Sequence, residues 1–294
     1  MGITNNCARF LFYSHQKNVS FTDTIMLGRQ QLYAEVGLIR QLLKENNLDA
    51  NFEVDNSNKY AEPLFKVLGA QKIDSIDFSD YESATLIHDL NTPVPDKLRN
   101  KYSLVFDGGT LEHVFNFPIA ITNCMNMLKV GGHFISITPT NNQCGHGFYQ
   151  FSPELYFSLL TESRGFLVKS ILLAVDIPGK GINEWFEIEN PSIVKTRVTL
   201  SNSYPTYLLI LAEKIKETPI DQEVPYQSDY RNVWQSFDMS KHETTTAIRK
   251  VYKFLMPKPI REMIYKIRSK KSINQNVSGL GNVNAEYFKK IEIK

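Results

Sequence analysis

Along this chain, short runs of apolar residues alternate with segments whose apolar positions recur every three or four residues. The runs TDTIMLG (22–28), KIDSIDFS (72–79), TLIHDL (85–90), YSLVFDGG (102–109), HFISITP (133–139), GFLVKSILLAV (165–175) and YPTYLLILAEK (204–214) read as strands. Their nearly continuous apolar character predicts strands covered on both faces. In QQLYAEVGLIRQLLKEN (30–46), Leu32, Val36, Ile39 and Leu43 share one helical face, and AEPLFKVLGA (61–70) predicts a shorter helix. NFPIAITNCMNMLKVGG (116–132) reads as a helix closed by Gly131 and Gly132. SPELYFSLLTES (152–163) opens on Ser152 as N-cap, with Pro153 at the first helical position. Strands separated by helical segments imply βαβ units, right-handed crossovers and a mostly parallel sheet.

The pattern also divides the chain. Residues 1–22 read as a polar lead-in, 23–215 as an α/β domain, and 216–294 as a polar linker followed by a basic helical C-terminal extension. Within the extension, residues 249–272 carry nine Lys/Arg and one Glu, interrupted by Pro257 and Pro259. This segment reads as a solvated helix that could touch an anionic membrane surface peripherally.

Composition narrows the picture further. With 294 residues, 42% hydrophobic and 22% charged, the chain can bury a large core. A net charge of only +2 supplies no global field for nucleic acid, and no nucleic-acid partner is expected. Cys7, Cys124 and Cys144 are scattered, which argues against a disulfide framework and fits a reducing, cytoplasmic setting. No apolar run reaches membrane-spanning length, so no integral membrane segment is expected.

In an open parallel sheet, ligands bind beyond the carboxyl ends of the strands. The first strand ends at Gly28-Arg29-Gln30, the second at Asp77, the third at Asp89 and the fourth at Asp107. An acid after the second strand can accept both hydroxyls of a ribose, and one after the third an exocyclic adenine amino group. A lone loop Asp is more often a turn former, but three in register point to a nucleoside-type ligand.

The segments YSLVFDGGTLEHVFN and MLKVGGHFISITPTNN strongly resemble class I S-adenosylmethionine-dependent methyltransferases, in particular a subset with an FD…LEHV segment. The likeness spans about residues 23–214. It implies a seven-stranded, mostly parallel sheet with helices on both faces, its last strand antiparallel, and S-adenosylmethionine as cofactor. It also implies methyl transfer to an oxygen or nitrogen of a small polar acceptor, such as a sugar or surface-glycan intermediate. Carried over by position, Asp77 with Phe78 would hold the ribose, Asp89 with Leu90 the adenine, and Asp107 with Gly108 would lie under the methionine portion. The family's usual glycine-rich first motif is here IMLGRQQ. Gly28 would make the turn, Arg29 would pair with the cofactor carboxylate through its forked guanidinium, and Gln30 would add an amide hydrogen bond.

His113, just past the fourth strand, is the candidate general base, because an imidazole near neutrality can take a proton as the methyl moves. The alternative is a histidine packed against the sheet. GHGFYQFSPE (145–154) reads as a substrate-side lid in which His146, Tyr149 and Gln150 would contact the acceptor. Glu112, His113 and His146 offer oxygen and nitrogen donors, but Gly109 stands where metal-using methyltransferases carry a further acid. No metal is therefore expected. Two other functions compete with methyl transfer: a non-catalytic methyltransferase-like scaffold, and an NAD-dependent oxidoreductase, disfavoured by the missing GxGxxG.

Overall fold

The computed structural model describes residues 2–54, 59–176, 184–194, 202–218, 224–228, 230, 256–260, 263, 276–277, 281–282 and 287–291. Nine strands form its main sheet. In chain order they are β1 (Asp23–Leu27), β2 (Lys72–Asp77), β3 (Leu86–Ile87), β4 (Tyr102–Asp107), β5 (Leu128–Asn141), β6 (Phe166–Val175), β7 (Glu184–Ile188), β8 (Thr206–Lys214) and β9 (Phe288–Ile291). Across the sheet they lie in the order β9-β7-β6-β8-β5-β4-β1-β2-β3.

One half of this sheet is parallel and the other is not. β3, β2, β1, β4 and β5 pair in parallel. β8 inserts antiparallel between β5 and β6, and β7 and β9 extend that edge with further antiparallel pairs. The architecture is an α/β fold with helices on both faces of one large sheet, with two corrections. The sheet has nine strands instead of seven, and it is mixed instead of mostly parallel. EWFEI and FKKI are short, and a strand of that length declares itself only through its partner. Since β9 comes from near the C-terminus, the region read as a helical extension also contributes a strand to the main sheet.

Alternation along the central strands feeds two cores. Ile25, Leu27 and Val105 face one layer with Ala120, Ile121, Cys124 and Met125 of helix α4 (Phe117–Met127) and Tyr156 of helix α5 (Pro153–Leu159). Met26, Leu104 and Phe106 face the other, with α1 (Asn5–Gln16), α2 (Val36–Glu45) and α3 (Glu62–Val67). The stretch read as a polar lead-in is thus helix α1, capped by Thr4, with Cys7, Phe10, Leu11, Phe12 and Ser14 buried. Each of its buried large apolar side chains contributes about 1.5–3 kcal/mol.

Three local differences bear on the site. The helix expected from residue 30 begins only at Val36, because Gln31–Leu32 pairs in parallel with Gly2–Ile3. The chain leaving β1 is therefore extended instead of helical. α4 stops at Met127, and Gly131 and Gly132 sit inside β5, where the register against β4 shifts between Leu128 and His133. The glycines serve a strand irregularity instead of a helix cap. Ser152 caps α5 as expected, accepting from Leu155 N. Among the described residues no helix is long and apolar enough to cross a membrane. The basic segment 249–272 lies outside the described residues apart from 256–260 and 263.

Candidate functional site

The carboxyl ends of β1, β2 and β4 lie side by side, which brings Gly28, Asp77 and Asp107 to one edge. Gly28 makes the turn after β1 with φ +66°, and its N–H donates to the Ile76 carbonyl at 2.8 Å, tying the turn to β2. The Leu27 carbonyl at the end of β1 accepts from Gln30 Nε2 and from Thr110 Oγ1, both at 2.7 Å. Side chains close the end of β1.

Arg29 and Gln30 part company here. Arg29 donates Nε to Glu62 Oε1 at 2.7 Å and Nη1 to the Glu82 carbonyl at 3.1 Å, and its guanidinium lies 3.8 Å over the Tyr60 ring. Those donors are committed within the protein. Gln30 is fully buried, and a Cβ on Gly108 would come within 2.8 Å of its Oε1. Because Leu27 O requires a donor, the amide orientation is fixed, and Oε1 is a buried acceptor without a hydrogen bond among the described residues. Gly108 exists so that this amide can lie against the end of β4.

The three acids differ sharply in setting. Asp77 is half-exposed, its Oδ1 only a 3.4 Å acceptor for Ser79 N, and Phe78 beside it is 74% exposed. Asp89 accepts at Oδ1 from Asn91 N and Nδ2, which hold its carboxyl below the usual range, and Leu90 next to it is buried. The Asp89 turn former reading is therefore present in the structure, with one oxygen engaged. Asp107 is fully buried: Oδ1 accepts from Thr110 N at 2.8 Å and Leu111 N at 3.3 Å, and Oδ2 from Ser136 Oγ at 2.6 Å.

Beyond β4 the chain makes a single 3-10 turn, Leu111–His113, that aims Glu112 inward and leaves His113 exposed. The loop after β5 folds back on this turn. Phe148 N and Tyr149 N both donate to the Glu112 carbonyl, and Tyr149 Oη donates to the Phe115 carbonyl at 2.6 Å. Gly147, at φ +70°, lets the loop approach so closely that a Cβ there would sit 2.8 Å from the Glu112 carbonyl oxygen. Gln150 accepts from Gln143 N at 3.0 Å, closing the loop on itself. His146 Nε2 lies 3.4 Å from Glu112 Oε1, and the His113 and His146 rings are 5.1 Å apart. Of the residues expected to meet the acceptor, Tyr149 and Gln150 brace the loop while His146 faces Glu112.

Electrostatically this corner holds two buried carboxyls. Burial pushes Asp107 up to about 6. Burial, with the Asp107 charge alongside, pushes Glu112 up to about 8. Burial pulls the His113 imidazole below its ordinary value, and the neighbouring His146 adds to this. Glu112 carries no role in the acceptor or cofactor set expected from sequence. Its neighbour His146 is brought to it only by the returning loop.

No protein-family model matches this sequence, and no curated protein matches it. Solved structures match parts of this chain at low similarity. A candidate methyltransferase from Bacillus halodurans C-125 matches at 8% identity and TM-score 0.40, over 70% of this chain and 99% of that one. A SAM-dependent methyltransferase from Thermotoga maritima matches at 14% identity and TM-score 0.36, over 71% and 91%. A branched-chain polyamine synthase from Thermus thermophilus matches at 12% identity and TM-score 0.36, over 76% of this chain and 60% of that one. At these scores the likenesses carry no argument about activity.

Proposed function

We propose that this protein is an S-adenosylmethionine-dependent methyltransferase whose cofactor lies across the carboxyl ends of β3, β2, β1 and β4. The observation that carries this reading is the row of functional groups at that edge: Asp77 at the end of β2, Asp89 in the loop after β3, and Gln30 between β1 and β4. The donor set matches the cofactor's chemistry. Asp77 offers a solvated carboxylate to ribose hydroxyls, with the exposed Phe78 ring as an apolar neighbour. Asp89 offers its remaining oxygen to an adenine amino group, with Leu90 beside it. Gln30 Oε1, a buried acceptor lacking a donor, fits an ammonium, so the methionine amino group is the natural partner at Gly28 and Gly108. Asp107 supports this floor through the Thr110 and Leu111 amides. Arg29 acts indirectly, by fixing the turn through Glu62.

When bound, this cofactor supplies an electrophilic methyl on a sulfonium. The protein's part is to align acceptor, methyl and sulfur and to exclude water. His113, exposed beside His146, accepts the acceptor's proton. The acceptor is a small polar molecule, with His146, Tyr149 and Gln150 on its side of the cleft. Titration of the full chain with S-adenosylmethionine, with NADH as the comparison ligand, tests the reading. Saturable binding of the former alone is expected. Binding of NADH alone would move the protein to the oxidoreductases, and binding of neither would leave the scaffold reading.

A further inference from the structure

We infer that Glu112, His113 and His146 form a site for one divalent metal ion of the zinc class, with three protein ligands and an open fourth position. One ligand atom from each residue lies within 4.8 Å of the others. Two ligands about 2.0–2.1 Å from a shared tetrahedral ion lie about 3.3–3.4 Å apart, and Glu112 Oε1 to His146 Nε2 is already 3.4 Å. The remaining separations, all within 4.8 Å, involve His113, whose exposed imidazole can rotate inward.

A second observation points to a ligand independently. Glu112 is 1% exposed, and its Oε2 has no hydrogen-bond partner among the described residues. A buried carboxylate oxygen left without a donor is costly. His146 alone addresses only Oε1. A dication at this point would offset the buried Glu112 carboxylate. The backbone also supports the arrangement, because Phe148 N, Tyr149 N and the close approach of Gly147 hold the His146 loop against Glu112. The carboxylate and the imidazoles approach from two separate segments, as ligands of a built site do.

Two imidazoles and one carboxylate suit Zn²⁺ and its neighbours better than Mg²⁺ or Ca²⁺, which favour all-oxygen sets. This reverses the expectation of no metal: a further acid at position 109 is unnecessary once His146 is delivered by the loop. The site does not depend on the cofactor reading. It does alter the role of His113, because a ring nitrogen bound to a metal has no lone pair left for a proton. In the loaded protein His113 is a ligand, and the open coordination position is where a polar acceptor atom can be held.

The test uses the full chain carrying Cys144→Ser, so that the exposed thiol near His146 in sequence adds no ligand. After chelator treatment and dialysis, the protein is titrated with Zn²⁺ by calorimetry and with Co²⁺ by visible absorption, without S-adenosylmethionine. The expected result is one equivalent bound with micromolar or tighter affinity and tetrahedral Co²⁺ bands. Each of His113→Ala and His146→Ala is expected to weaken binding at least tenfold. Both histidines are exposed, so these variants keep the fold, as circular dichroism would verify. Weaker binding by the parent, or undiminished binding by either variant, overturns the site. Since only metal is added, failure here leaves the S-adenosylmethionine titration to stand or fall separately.

Discussion

The two sides of the cleft treat their acids in opposite ways. At β2 and β3, Asp77 and Asp89 are half-exposed, and Asp89 is held charged by the Asn91 amides. At β4 and the turn after it, Asp107 and Glu112 are buried and both resist ionisation. A solvated carboxylate can accept hydrogen bonds from neutral hydroxyls and amines without structural cost. A buried pair demands a proton or a metal cation. The sheet edge therefore sets a neutral-donor side beside a cation-seeking side.

The largest effect should come from removing the floor of the buried side. Asp107→Ala strands Ser136 Oγ and the Thr110 and Leu111 amides, and should lower the unfolding free energy by about 3 kcal/mol or more in urea titrations. On the solvated side, Asp77→Ala should leave stability nearly unchanged. It should weaken S-adenosylmethionine binding by about 10- to 100-fold, the loss of two hydrogen bonds of about 1 kcal/mol each. Were Asp77→Ala instead to destabilise the fold and leave binding intact, the contrast between the sides would collapse.

A pH series sharpens the contrast. The buried acids have folded pKa values raised above about 4, so the native state binds protons that the unfolded state has lost. Their contribution is fully present below about pH 4 and is lost as pH rises through about 6 and then about 8. In chelator-treated protein, stability should decline across that window. Glu112→Gln should make that decline shallower. A profile unchanged by Glu112→Gln would contradict the buried-pair account. The smallest expected effect is at Arg29. Its pairing with the partly exposed Glu62 predicts that Arg29→Ala costs about 1 kcal/mol or less and changes cofactor affinity by less than about twofold.

The parallel half of the sheet was legible because strands covered on both faces must be apolar throughout, as SLVF and TIML are. The acids at their ends were legible for the same reason, since a polar residue closing an apolar run marks the sheet edge. α1 carried a usable signal in Cys7, Phe10, Leu11 and Ser14, which fall on one helical face but are diluted by Asn, Arg and His. β7 and β9 carried none, because their pairing joins segments far apart in sequence. The meeting of His146 with Glu112 was equally hidden. It depends on a loop that returns through the Phe148 amide, and on Gly147 making room. Gln30 was read from sequence as a cofactor contact on a helix start, whereas its burial against Gly108 follows from the extended path of residues 30–35, which the helical periodicity masked.

The most direct test is calorimetric titration of S-adenosylmethionine into the 294-residue chain and its Asp77→Ala variant. The account predicts saturable one-to-one heat for the parent, with affinity at least tenfold weaker in the variant at unchanged melting temperature. Absence of heat from the parent at millimolar cofactor, or equal affinity in the two proteins, would contradict it.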